Sequence, residues 1–265
     1  MSDFADIEFE IDDPVALIRL NRPQRLNAFT YDTLAEIRSA VDTAAADPRV
    51  VGIIITGNGR AFSAGLDMAT LAAVTEAGSS GAMRDPDALP GLFSYLLEVP
   101  KPVIAAVNGV AAGGGLILAL ASDLRFASEA ASFTTVFSKR GLIAEHGSSW
   151  LLPRLVGTGH ALDLLWSSTR IDAQRACELG LVERVVAPDA LLASARAYVE
   201  DLAANVAPAT LAETKRLVYR HAGCDVRTAL EEAHEAQERF VAGADAREGA
   251  LSLLEKRPPK FRRVP

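Results

Sequence analysis

The sequence predicts an α/β fold, and three observations carry that prediction. Runs such as VVGIIIT (50–56) and VIAAV (103–107) have the unbroken apolar, β-branched character of strands buried on both faces. These runs alternate along the chain with segments whose apolar residues recur at helical spacing, as they do when helices pack on a sheet. Small residues and glycines crowd two of the passages from strand to helix, at 57–68 and 108–115, where the backbone must turn sharply.

Taken in order, residues 7–11 alternate as a strand. VALIRL (15–20) follows across a turn at Asp12-Asp13-Pro14, so the chain opens with a hairpin. NRPQRLNAFT (21–30) is a polar loop, and residues 31–46 carry a helix. After the strand at 50–56, GNGRAFSAGLDM (57–68) is a glycine-rich loop that opens a short helix. Residues 75–91, small, polar and turn-prone, predict a mobile loop. A buried strand at 102–107 leads to a buried helix at 116–121, then to short strands at 124–127 and 132–136. From Ser148 onward the pattern is mostly helical, with one strand at 181–186. From about Ala203 it is nearly all helix and carries the amphipathic stretches EEAHEAQERF and ALSLLEKR. The expected division is a main body over residues 1–202 and a helical region over 203–265 that serves assembly. No repeat shows at the residue level.

Composition narrows the functional classes. Of 265 residues, 49% are hydrophobic and 23% charged, the balance of a globular enzyme large enough to bury a core without staples. The net charge of −7 and the lack of a basic run disfavour a nucleic-acid partner, though an anionic small ligand needs only a few local cations. The cysteines, Cys177 and Cys224, are far apart, form no metal motif and fit a reducing compartment. The acidic N-terminus has no apolar stretch and is not a signal peptide, so a cytoplasmic location is expected. Residues 103–122 are uncharged for twenty positions, the length of a membrane span. Three consecutive glycines inside them would break a lipid-facing helix, so a strand, a turn and a buried helix are expected instead.

IIITGNGRAFSAGLDM and PVIAAVNGVAAGGGLILALASD share one pattern of strand, glycine-rich turn and helix. Amide groups at the start of such helices face outward, and two turns side by side supply two N–H donors to one oxygen, the arrangement that stabilises a developing oxyanion. The same glycines equally suit close packing of helix on strand. Dinucleotide, phosphate-loop and zinc-protease signatures are missing, AFSAG departs from the nucleophile elbow at its first position, and the four histidines have no ligand spacing, so no metal or cofactor is expected.

Together, LNRPQRLNAF (20–29), AFSAGLDM (61–68), KPVIAAVNGVAAGGG (101–115), ASDLRFAS (121–128), GLIAEHGSSWLLPRLVG (141–157), ELGLVERVV (178–186) and DAREGALSLLEKRPPKF (245–261) resemble the crotonase family, the enoyl-CoA hydratase/isomerase superfamily, over essentially the whole chain. The resemblance implies a spiral of ββα turns with a C-terminal helical region, assembly as a homotrimer or a hexamer of paired trimers, and a coenzyme A thioester as substrate. It makes the amides of Leu66 and Gly114 the oxyanion donors. It assigns contacts with the adenine and ribose-phosphate parts to Arg22, Arg25, Ala28, Ala64, Asp67 and Met68, and contact with a CoA phosphate to Lys256, in some members across a subunit boundary. A solvated loop charge is the other reading of the arginines.

Hydratases of this family carry two glutamates that this chain lacks. Their places are taken by Ile117, three residues past the middle glycine of the triplet, and Phe137, four residues before the glycine of GLI. Neither replacement transfers a proton, so ordinary hydration loses its acid and base. Glu145 stands where peroxisomal-type Δ3,Δ2-enoyl-CoA isomerases carry a single catalytic carboxylate, in the run G-L-x-x-E-x-G. A related dehalogenase branch has an aspartate nucleophile at about this position. The expectation is therefore an enoyl-CoA isomerase acting through Glu145, with Ile117 and Phe137 as a dry wall beside the acyl chain. The alternatives are a hydratase-like enzyme of divergent activity (hydrolase, dehalogenase or lyase), a non-catalytic acyl-CoA binding protein, and, for Glu145 itself, a helix N-terminal acid favoured by the dipole.

Overall fold

The computed structural model describes residues 4–77 and 89–264. The chain opens with a hairpin of β1 (Ile7–Asp12) and β2 (Val15–Leu20), antiparallel from Asp12↔Val15 to Ile7↔Leu20. Next comes α1 (Tyr31–Ala46), started by Thr30 and Thr33, whose hydroxyls and amides cap one another reciprocally. Its buried residues Ile37, Ala40, Val41 and Ala44 fall on one helical stripe.

Three strand–strand–helix units follow: β3 (Gly52–Gly57), β4 (Ala61–Ser63) and α2 (Met68–Ala77); β5 (Val103–Val107), β6 (Val110–Ala112) and α3 (Gly114–Ala121); β7 (Leu124–Ser128), β8 (Ser132–Thr134) and α4 (Ser148–Ser167). The first strand of each unit joins one sheet and the second joins another. The six-stranded sheet runs β1-β2-β3-β5-β7-β10 and the four-stranded sheet β4-β6-β8-β9, where β9 is Ile171–Asp172 and β10 is Arg184–Val186. This is the expected spiral: each unit adds one parallel strand to both sheets. The chain continues through α5 (Ala173–Glu178), α6 (Leu191–Asn205), α7 (Pro208–His221), α8 (Val226–Val241) and α9 (Ala244–Glu255).

The larger sheet is covered on both faces, which is why β3 and β5 are buried at every position and almost wholly apolar. Alternate residues point opposite ways. Ala16, Ile18, Ile53, Ile55, Ala105 and Val107 enter the main core with α1 and α3, while Val15, Leu17, Ile54, Ile104, Ala106 and Phe126 meet Leu191, Ala195 and Val199 of α6. At this second interface α6 lies so close that a side chain on Gly52 would stand 2.9 Å from Val199.

Residues 103–122 form β5, β6 and the wholly buried α3, and among the described residues no helix is long and apolar enough to cross a membrane. Several details differ from expectation, among them β9, a second short strand in the mostly helical stretch after Ser148. The loop expected at 57–68 contains β4, the passage after β5 contains β6, and the strand expected over 181–186 is confined to Arg184–Val186. The loop expected at 75–91 lies mostly outside the described residues, and its first three residues complete α2.

Candidate active site

The two glycine-rich turns meet at the C-terminal ends of β4 and β6. The chain leaving β4 is held by the buried hydroxyl of Ser63, which donates to Asn27 O (2.7 Å) and accepts from Gly65 N (3.1 Å). Ala64 N donates to Leu26 O at 2.9 Å, and Phe29 and Asp67 bond across to the same turn. Asn27, buried and in a left-handed conformation, fixes the neighbouring loop by donating to Asn58 O and Ala61 O. These polar contacts make the turn rigid.

Against it lies the triplet Gly113-Gly114-Gly115. Gly113 has φ 50°, ψ −119°, a conformation that excludes a side chain. Gly115 packs onto the first turn so tightly that a Cβ there would sit 2.2 Å from Ser63 O. Between them, Gly114 N lies 2.9 Å from where Gly65 would carry a Cβ, and Leu66 N lies 3.6 Å from the same point on Gly114. The two amides expected as oxyanion donors are thus neighbours. Among the described residues neither donates to a turn or loop acceptor, and Gly114, first residue of α3, has no acceptor within its own helix.

Ile117, fully buried on α3, and Phe137, 4% exposed, both belong to the main apolar core. Glu145 is half-buried in the segment before α4, and its carbonyl accepts from Ser148 N (3.0 Å) and Ser148 Oγ (2.8 Å). Its carboxylate Oε1 is 3.7 Å from His146 Nε2. Burial holds the imidazole below its ordinary protonation range, against the opposing pull of Glu145. Sequence reasoning singled out Glu145 and missed its partner, because neighbouring side chains ordinarily diverge. The signal is conformational: His146 has φ 53° and Gly147 φ 84°.

The remaining expected ligand-binding residues flank the turn. Arg22 is drawn into the protein, donating to Ala28 O at 2.5 Å and pairing with Asp6 (3.4 Å) and Asp67 (3.5 Å). Arg25 is exposed at the end of the 3-10 turn Pro23–Arg25, and Ala28 is buried. Asp67 precedes α2 and accepts from Ala69 N at 3.1 Å, while Met68, 67% exposed, begins that helix. Lys256 is exposed just past α9 with φ 54°. A groove of about 390 Å³ opens beside β6 and β8, with Val110, Ala112 and Thr134 in its lining. Ala64, Ala112 and Val136 floor it, and Arg60, Arg140 and Arg170 rim it. Those three arginines are exposed, lack acidic partners among the described residues, and were not singled out from sequence.

Two neighbouring amides without acceptors can together receive one oxygen on which charge develops, as on a carbonyl group under attack or enolisation. The family model for enoyl-CoA hydratase/isomerase matches residues 10–263. The 1,2-epoxyphenylacetyl-CoA isomerase of Escherichia coli is 34% identical over 249 residues, 93% of this chain and 94% of that protein. The crotonyl-CoA hydratase of Syntrophomonas wolfei is 34% identical over 261 residues, 97% of this chain and 98% of its own. The crystal structure of an enoyl-CoA hydratase from Bacillus anthracis superposes with a TM-score of 0.88 at 31% identity, covering 98% of this chain and all of that one. The chain belongs to the enoyl-CoA hydratase/isomerase family and has its crotonase fold.

Proposed function

We propose that the protein is a Δ3,Δ2-enoyl-CoA isomerase of fatty-acid metabolism in which Glu145 is the only proton carrier. In this reading the thioester oxygen lies between the Leu66 and Gly114 amides. Glu145 removes a proton from C2 of a 3-enoyl-CoA, the electron pair moves into a dienolate whose charge rests on that oxygen, and the carboxyl returns the proton at C4. The C3–C4 double bond becomes C2–C3, and no water is consumed. Ile117 and Phe137 keep the reacting carbons dry.

The observation that carries the reading is the combination of two adjacent, unengaged amides with one half-buried carboxylate, while buried Ile117 and Phe137 hold the places of the hydratase acids. The coenzyme A portion is taken to run past Ala28, Ala64, Asp67 and Met68, with Arg25 and Lys256 toward its phosphates. Arg22 acts by shaping the loop, since its guanidinium is already occupied. Assembly as a homotrimer, or a hexamer of paired trimers, is part of the same proposal.

The test is turnover of a 3-enoyl-CoA, followed by the absorbance of the conjugated thioester. Glu145→Gln is expected to lose roughly 10² to 10⁴ in kcat, the usual contribution of a general base. Wild-type turnover in that variant overturns the proposal. Binding of acyl-CoA without turnover by the native protein favours a binding role instead.

A further inference from the structure

We propose that His146 is a positioning residue for Glu145: its imidazole N–H holds the carboxylate in the orientation that reaches the substrate. This rests on the isomerase reading above. The two side chains belong to consecutive residues, which a regular backbone sends apart. Here the left-handed conformation at His146, followed by a second at Gly147, folds the chain back so that Nε2 and Oε1 come within 3.7 Å. A left-handed non-glycine residue is strained, and such strain gathers at functional sites. Glycine would relieve it fully.

The separation is slightly longer than a hydrogen bond, as is common for catalytic contacts before the ligand closes them. The surroundings favour a neutral, donating imidazole. The chain around Gly91 crosses His146, so that a side chain on Gly91 would lie 3.7 Å from its Cα, and Ser94 lines the same spot. On the α4 side stands Ser148, whose hydroxyl is turned to the Glu145 carbonyl. Among the described residues Glu145 is the one charged group acting on the ring, and burial outweighs its pull and disfavours the protonated imidazole. A neutral donor stabilises the carboxylate that must act as base without neutralising it as a cation would.

The experiment compares pH profiles of kcat and kcat/KM for 3-enoyl-CoA turnover in the full-length wild type, His146→Gly, His146→Gln and Glu145→Gln. Glycine accepts φ 53°, so His146→Gly is expected to melt no lower than wild type while kcat falls roughly tenfold to a hundredfold, the loss that follows misplacement of a reacting group. KM stays near wild type, and the acidic limb of the profile moves to higher pH. His146→Gln, with an amide N–H at similar reach, recovers most of kcat and returns the limb. If His146→Gly misfolds, His146→Asn, which tolerates the left-handed backbone, takes its place with the same expectation. Wild-type kcat and an unmoved limb in the folded His146 variant, with Glu145→Gln inactive, overturn the positioning role alone. Full activity in Glu145→Gln overturns both it and the isomerase reading.

Discussion

At the scale of the residue, the three glycines of the triplet do different things. Gly113 supplies a backbone conformation, Gly115 a close approach and Gly114 an amide without an acceptor in its own helix. A methyl on Gly115 would collide with Ser63 O at 2.2 Å, so Gly115→Ala is expected to disrupt the fold. A methyl on Gly114 meets only ordinary contacts, Gly65 Cα and Phe29 at 3.5 Å and Leu66 N at 3.6 Å. It stands over the Leu66 amide, where the thioester oxygen is proposed to sit. Gly114→Ala is therefore expected to leave the melting temperature unchanged or slightly raised, since alanine is favoured over glycine in a helix by about 1 kcal/mol. Its kcat should fall by roughly 10² to 10³, as when an oxyanion donor is lost. Calorimetry and steady-state kinetics on the same preparation separate the two effects, and unimpaired turnover would show that the Leu66 and Gly114 amides are not the oxyanion donors.

At the scale of the element, legibility followed length and burial. α1 and the buried strands β3 and β5 were readable because each repeats its signal over five or more positions. β4, β6 and β8 are three residues each, too short to show alternation, and β9 has two; their sheet exists through tertiary pairing. The site was legible where glycine spacing marks a turn, and hidden where it depends on φ at His146 or on arginines from three separate segments. Buried polar ties between elements were equally hidden. Lys215 of α7, buried with its amine below its ordinary range, donates to Asp123 (2.7 Å), Leu96 O (2.8 Å) and Lys101 O (3.2 Å), and Tyr219 also donates to Asp123. Lys101 caps the C-terminus of α1 by donating to Ala44 O and Asp47 O, and desolvation lowers it to about 8. Its folded value thus lies below the value of about 10.5 for a solvated lysine. Between those pH values the unfolded chain holds a proton that the folded chain has released, so this group makes stability rise with pH. Urea midpoints of the wild type are expected to climb from pH 7.5 to 10 relative to those of Lys101→Met, which lacks the titrating group. Parallel curves for the two proteins would contradict the assignment.

At the scale of the whole molecule, the C-terminal helices carry an apolar surface that one chain leaves open. Val226, Leu230 and Val241 are 64–75% exposed and share one face of α8, and Leu253 and Leu254 of α9 are 79% and 80% exposed. Isolated exposed apolar residues are ordinary, but several sharing one helix face, with more at the end of the next helix, suit a contact surface. The proposed trimer is the occupant that the family resemblance implies, and the surface ends beside Lys256, the residue expected to reach a coenzyme A phosphate. If the trimer forms and Lys256 reaches a neighbour's ligand, assembly and substrate binding are coupled: a separated chain would lose a cation at the phosphate end, while its own Glu145 and paired amides would stay in place. Light scattering should give a mass of three chains, or six, for the native protein and of one chain for Leu230→Glu combined with Leu254→Glu. The dissociated variant should show a KM for acyl-CoA raised by roughly tenfold, about the 1.4 kcal/mol that one lost charged contact represents, with a smaller change in kcat. Lys256→Ala in the intact assembly should raise KM to a similar degree. A native protein that runs as a single chain with undiminished turnover would separate the apolar surface from the site and leave its occupant to be sought elsewhere.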